Sequence, residues 1–115
     1  MKRLALFARS SNHRRLDEQL ERCRRVAAQK GLAFEDALTL RDICVRAATP
    51  VTQRPAYESL LDSIRRGRCD VVVVDEVIVL TSDFEELAEL LTLVRAGAVR
   101  LVTADGVDTG KLARR

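Results

Sequence analysis

The chain has 115 residues, 47% apolar, 32% charged and 3% aromatic, with a formal net charge of +3. That balance describes one globular domain and excludes a disordered chain. No apolar run approaches the roughly 20 residues of a membrane helix, and so few aromatics argue against a base-stacking platform for single strands.

Met1 to Phe7 opens like a secretory leader, but Arg9 interrupts it before an apolar core of about 7–15 residues can form. Leu4 to Phe7 is therefore read as a first, buried strand, and the protein as soluble and cytoplasmic. A polar stretch, Arg9 to Arg15, follows. Leu16, Leu20, Cys23 and Ala27 then recur on one face of a helix, which Gly31 ends. A strand is expected from about Ala33 to Leu40, and a long loop from Arg41 to Gln53, containing Pro50.

Pro55 suits the first turn of a second helix, with Tyr57, Leu60, Leu61 and Ile64 inward and Gly67 after its end. Asp70 to Val77 is the clearest strand. Its four consecutive valines suit a central parallel strand covered on both faces. Ser82 with Glu85 reads as a capping box for a third helix. That helix turns Phe84, Leu87, Leu90, Leu91 and Val94 inward and stops at Gly97. Val99 to Val102 is the last strand, and the tail is polar.

Alternating strands and helices predict an α/β fold. The sheet should be open, mostly parallel and four- to five-stranded, with helices on both faces in three layers. Its working crevice lies beyond the carboxyl ends of the strands. This brings Arg9-Ser10-Ser11, the 41–53 loop and Val77 to Ser82 to one rim.

Five segments, in one order along the chain, resemble the catalytic domain of serine recombinases of the resolvase/invertase type. Phe7-Ala8-Arg9-Ser10-Ser11 is similar to the family's Tyr-x-Arg-x-Ser strand end, and Leu16-Asp17-Glu18-Gln19 to its Leu-Asp-x-Gln helix start. Arg54-Pro55, then Leu60-Leu61, is similar to Arg-Pro-x-x-x-x-Leu-Leu. The Asp70–Val74 strand sits where the family's does. Asp105-Gly106-Val107-Asp108-Thr109 looks like its Glu/Asp-Gly-Ile-Asp-Thr signature.

The resemblance implies DNA cleavage and rejoining through a phosphoserine link. Carried over by position, Ser11 is the nucleophile, Arg9 and Arg54 bind the scissile phosphate, and Gln19 supports them. Ser10 is the rival nucleophile, because the turn from Ser11 to Gln19 is one residue shorter than usual. Ser11 is preferred because residues two apart in a strand share a face with one another, here with Arg9. The chemistry needs these residue types. A hydroxyl is a weak nucleophile outside a strong positive potential, and guanidinium forks match phosphate oxygens. The implied partner is the phosphate backbone of double-stranded DNA, with an oligomer of this chain or an intact recombinase beside it. No membrane, cofactor or metal is implied.

The chain departs from the family after the third strand. Where the family has Leu-Asp-Arg-Leu-x-Arg, this chain has Val77-Ile78-Val79-Leu80-Thr81-Ser82. Ile78 replaces the aspartate; Val79 and Ser82 replace the arginines. Loss of one transition-state donor typically costs about 10²–10³ in rate, so activity is expected to be impaired or lost. Ile43-Cys44-Val45 stands for the family's Ile-Ser-Gly. The family also continues into a long dimerising helix and often a DNA-binding domain. The expectation for residues 1–115 is one catalytic-like domain without that C-terminal domain.

Plainer readings stand beside these. His13-Arg14-Arg15 and Arg24-Arg25 suit solvated surface, and Arg65, Arg66 and Arg68 complement a helix C-terminus. Asp75 and Glu76 point to opposite faces if extended, which speaks against a shared metal. Tyr57 is packing, Cys23 and Cys69 are apolar filler, and Cys44 alone has reactive potential. The competing function is a non-catalytic module that pairs with another protein or with a DNA-bound recombinase, with an exposed apolar patch at Ile78, Val79 and Leu80. A phosphoacceptor receiver is rejected, since Ala8-Arg9-Ser10 stands where it needs an acidic pair. A dinucleotide-binding domain is rejected for lack of GxGxxG.

Overall fold

Four valines in succession can be buried only where a strand is covered on both faces, and Val71–Val74 (β3) is such a strand. A computed structural model of the chain describes residues 3–43 and 53–112. Cys44, Pro50 and most of the expected 41–53 loop, with the Ile43-Cys44-Val45 comparison, lie outside the described residues.

Leu4–Ser10 (β1) pairs in parallel with both Leu38–Ile43 (β2) and β3, and β3 pairs in parallel with Arg100–Thr103 (β4). The sheet order is β2-β1-β3-β4. Register explains the core. Leu4 faces Val71, and Leu6 faces Val73; with Ala8 and Val102 they pack against Leu16, Leu20, Cys23 and Ala27 of His13–Gln29 (α1). Ala5 faces Val72, and Phe7 faces Val74. With Leu101 these meet Tyr57, Leu60 and Ile64 of Pro55–Arg65 (α2) and Leu90 and Val94 of Phe84–Ala96 (α4) on the other face. The fold is thus an open, all-parallel α/β sheet between helical layers, as expected. No described helix is long and apolar enough to cross a membrane.

Helix ends follow local chemistry. Asn12 caps α1, its Oδ1 accepting from the N–H of Arg14 at 2.8 Å. Gly31, at φ +70°, takes the left-handed position after α1 that other residues adopt only with strain.

Five expectations need correction. The second strand begins at Leu38, not Ala33, because the turn closed by Ala37 N–H on Phe34 O packs Leu32 and Phe34 beneath α1 instead. The valine strand ends at Val74, where its partners Phe7 and Thr103 also end their pairing with it. Val77–Leu80 then forms one short helical turn (α3). The cap of α4 is Asp83, whose Oδ1 accepts from Glu85 and Glu86 N–H at 2.8 and 3.1 Å; Ser82 lies outside it and is exposed. Phe84 and Leu91 are not inward but 87% and 38% exposed, because Leu90 and Val94 define the buried face. The last strand is offset by one residue, with Ala98 rather than Gly97 in the left-handed region at φ 52°.

Candidate active site

The order β2-β1-β3-β4 reverses direction between β1 and β3, and the crevice beyond their carboxyl ends is where open parallel sheets bind ligands. Two predicted site residues, Arg9 and Ser10, come from the end of β1, and Ser11 follows it. Arg9 is half-buried. Its Nε donates to Val79 O at 2.9 Å and its Nη2 to Ile78 O at 3.1 Å, bridging β1 to α3. Gln19 is buried in α1 and holds the Arg9 backbone at both ends: Arg9 N–H donates to Oε1 at 3.0 Å, and Nε2 donates to Arg9 O at 3.1 Å. Its supporting role is therefore to fix where the Arg9 side chain starts.

β1 ends at Ser10, and Ser11 lies in the bend before α1, exposed. Strand alternation therefore runs out one residue before Ser11. Ser10 Oγ accepts from the Asn12 N–H at 3.1 Å.

Arg54, at the N-cap of α2, is fully buried. Its guanidinium lies 4.2 Å over the Tyr57 ring, donates through Nη1 to Leu80 O at 2.7 Å, and pairs through Nη2 with Glu86 Oε1. Thr81 Oγ1 donates to the same Glu86 oxygen at 2.9 Å. Arg54 Nε is buried with no hydrogen-bond partner among the described residues. Burial, and then the charge of Arg54, hold the Arg9 pKa below the usual arginine range, while Asp42 opposes them. The two guanidinium groups thus share one electrostatic neighbourhood.

Asp42 is the residue that the sequence reading missed. It is buried at the end of β2, and its two oxygens accept from the N–H groups of Ala56 and Tyr57 at 2.9 and 3.0 Å. It therefore caps α2 from another element, since Arg54 supplies no side-chain cap. No local spacing predicts this. The available signal was an acidic residue near the end of an edge strand.

Of the expected apolar patch, Ile78 is 56% exposed, but Val79 and Leu80 are buried at 5% and 0%. α3 turns them into the core beside Tyr57 and Leu90. Of the acidic pair, Asp75 forms a two-pronged bond with Arg22 at 2.7 Å on both arms, and Glu76 precedes α3. Cys23 and Cys69 are buried thiols, and desolvation pushes Cys23 up to about 12. No group of acidic, histidine or cysteine side chains suited to a metal occurs among the described residues.

The Asp105–Thr109 segment is a staple. Asp108 receives Arg100 Nε and Nη2 at 2.9 and 2.8 Å, Lys30 Nζ at 2.8 Å, and the N–H of Gly110 at 2.9 Å. Thr109 Oγ1 accepts from Leu101 N–H at 2.9 Å and opens Thr109–Leu112 (α5). Gly106, at φ +114°, makes the turn between them.

The parallel α/β domain thus carries an arginine and two successive serines at and just after the carboxyl end of its first strand. The chain belongs to the resolvase N-terminal domain family, whose model matches residues 5–115. Its fold is similar to that of the N-terminal catalytic domain of TP901-1 integrase (TM-score 0.81, 21% identity, covering 95% of this chain and 83% of that one). It is also similar to a resolvase family site-specific recombinase from Streptococcus pneumoniae (TM-score 0.77, 17% identity, 96% and 78%). A third similar structure is the C-terminal catalytic domain of ISC1926 TnpA, an IS607-like serine recombinase (TM-score 0.73, 24% identity, 89% and 68%). At these identities the likeness is one of fold. The search of curated proteins gave no match.

Proposed function

We propose that residues 1–115 form one recombinase catalytic-type domain, cytoplasmic and derived from a mobile-element or site-specific recombinase, that acts on double-stranded DNA phosphodiesters with impaired activity. Ser11 Oγ, or Ser10 Oγ as the rival, attacks phosphorus. A phosphoserine bond forms, a P–O bond to deoxyribose breaks, and the serine proton is balanced by the one that the leaving hydroxyl takes up. Rejoining reverses these steps. Arg9 and Arg54 stabilise the charge on the phosphoryl oxygens.

The carrying observation is the position of Arg9. It stands at the carboxyl end of β1, next to the serine bend and within the field of Arg54. Impairment rests on Ile78, Val79 and Ser82, none of which supplies a charge to the rim.

A second reading is favoured by one observation. Arg54 turns its Nη donors inward, while Ile78 and Phe84 remain exposed. This supports a non-catalytic module that meets a recombinase, a second copy or another protein. A trapping assay for covalent protein–DNA species separates the two. An adduct formed by the wild type, absent in Ser11→Ala and kept in Ser10→Ala, supports cleavage through Ser11. The reverse pattern moves the nucleophile to Ser10. Equal inertness of all three, with the fold intact, gives the non-catalytic reading.

A further inference from the structure

Three successive main-chain carbonyls at the rim accept from two arginines. Ile78 O and Val79 O take Arg9, and Leu80 O takes Arg54. They belong to α3, a single turn whose carbonyls have few helical N–H groups to accept from; Thr81 N–H closes only onto Val77 O. Glu86 takes the other Nη of Arg54 and is held in turn by Thr81 Oγ1.

These oxygens use the same donors that a phosphate would use. A neutral carbonyl is the weaker competitor, since a phosphate oxygen carries formal charge. Glu86 is the stronger one, because it neutralises Arg54 in place. α3 is also fixed by packing, with Val79 and Leu80 buried in the core. Val79, which replaces one of the family's arginines, thus joins Leu80 in anchoring the turn that covers the forks.

We propose that the phosphate site of this domain is self-occluded: the α3 carbonyls and Glu86 occupy the guanidinium forks of Arg9 and Arg54, and Glu86 is the latch whose release admits an anion. The proposal rests on reading Arg9 and Arg54 as phosphate ligands. Two features support it. The mutual repulsion of the arginines favours an anion once the carbonyls withdraw. Glu86 also lines a groove of about 490 Å³ between α2 and α4, with Tyr57, Leu61, Leu90 and Leu93, so the latch is reachable from the helical face.

The test is titration of the full chain with inorganic phosphate, followed by NMR of arginine Nε–H and backbone amide signals. Glu86→Gln keeps shape and removes the charge. It is expected to bind phosphate about tenfold more tightly than wild type, with the Arg9, Arg54 and residue 78–80 signals moving together. Thr81→Val, which removes one bond to Glu86, should gain less. Equal affinities with the same signals moving would overturn occlusion but leave the phosphate reading standing. A folded Glu86→Gln protein whose arginine signals ignore phosphate would remove both. If that variant does not fold, Thr81→Val decides, and no gain in affinity overturns the latch.

Discussion

Asp108 and the β1/β3 rim both use arginine forks on oxygen acceptors, but they differ in what those forks hold. At Asp108 two cations, Arg100 and Lys30, converge on one buried carboxylate that also caps α5. At the rim Arg54 pairs with the Glu86 carboxylate, and both Arg54 and Arg9 donate to neutral carbonyls of α3; the nearby Asp42 carboxylate is engaged by backbone N–H groups. In the first arrangement an incoming anion would have to displace a buried carboxylate. At the second, neutral carbonyls hold donors that a charged phosphate oxygen would hold more strongly. Arginine density alone would not separate them.

The largest expected effect breaks the rim. Arg54→Ala removes the fork from Glu86, Leu80 O and the Tyr57 face, and should cost about 3–5 kcal/mol in a urea melt, as for a broken buried pair. A loss below about 1 kcal/mol, the range of surface pairs, would mean that the cluster is not structural. Asp108→Asn should cost less, about 2–3 kcal/mol, because both of its cations are partly exposed.

The pH dependence sharpens the contrast. The hydrogen bonds of Arg100 and then Lys30 hold the Asp108 carboxyl well below its ordinary value of 3.8. A carboxylate depressed in the folded state stabilises the fold above its unfolded value, and that stability is lost as pH falls toward the folded one. Wild-type stability should therefore drop below about pH 4, and Asp108→Asn should flatten that limb. The smallest effect lies outside both regions. Ala98→Gly should gain about 0.5–1 kcal/mol, the left-handed penalty less the extra freedom of glycine when unfolded. A matched pair of melting curves reads it.

Strand identity and sheet faces were legible in the sequence because each depends on one-dimensional pattern. Four valines, and the Leu16-Leu20-Cys23-Ala27 stripe, have only one way to be buried. The ends were less legible because partners decide them. β3 stops where Phe7 and Thr103 leave it, and no residue between Asp75 and Val77 announces that. At the site, the motif positions named Arg9, Gln19 and Arg54, and Gln19 bonds the Arg9 backbone. The inward turn of Arg54 and the cap from Asp42 were not legible. Both depend on contacts between elements far apart in sequence.

The pairing of Leu4 with Val71 has a consequence for how the chain is made. Among the described residues the strands of the sheet pair only in parallel, so the first strand leaves the ribosome long before its central neighbour exists. Until that neighbour emerges, Leu4 to Ala8 have only α1 and the edge strand as cover. Parallel sheets with such distant pairings close slowly and expose sticky strands meanwhile. The vulnerable moment in this protein's life is therefore its synthesis, and conditions that slow translation before Val74 should favour its aggregation.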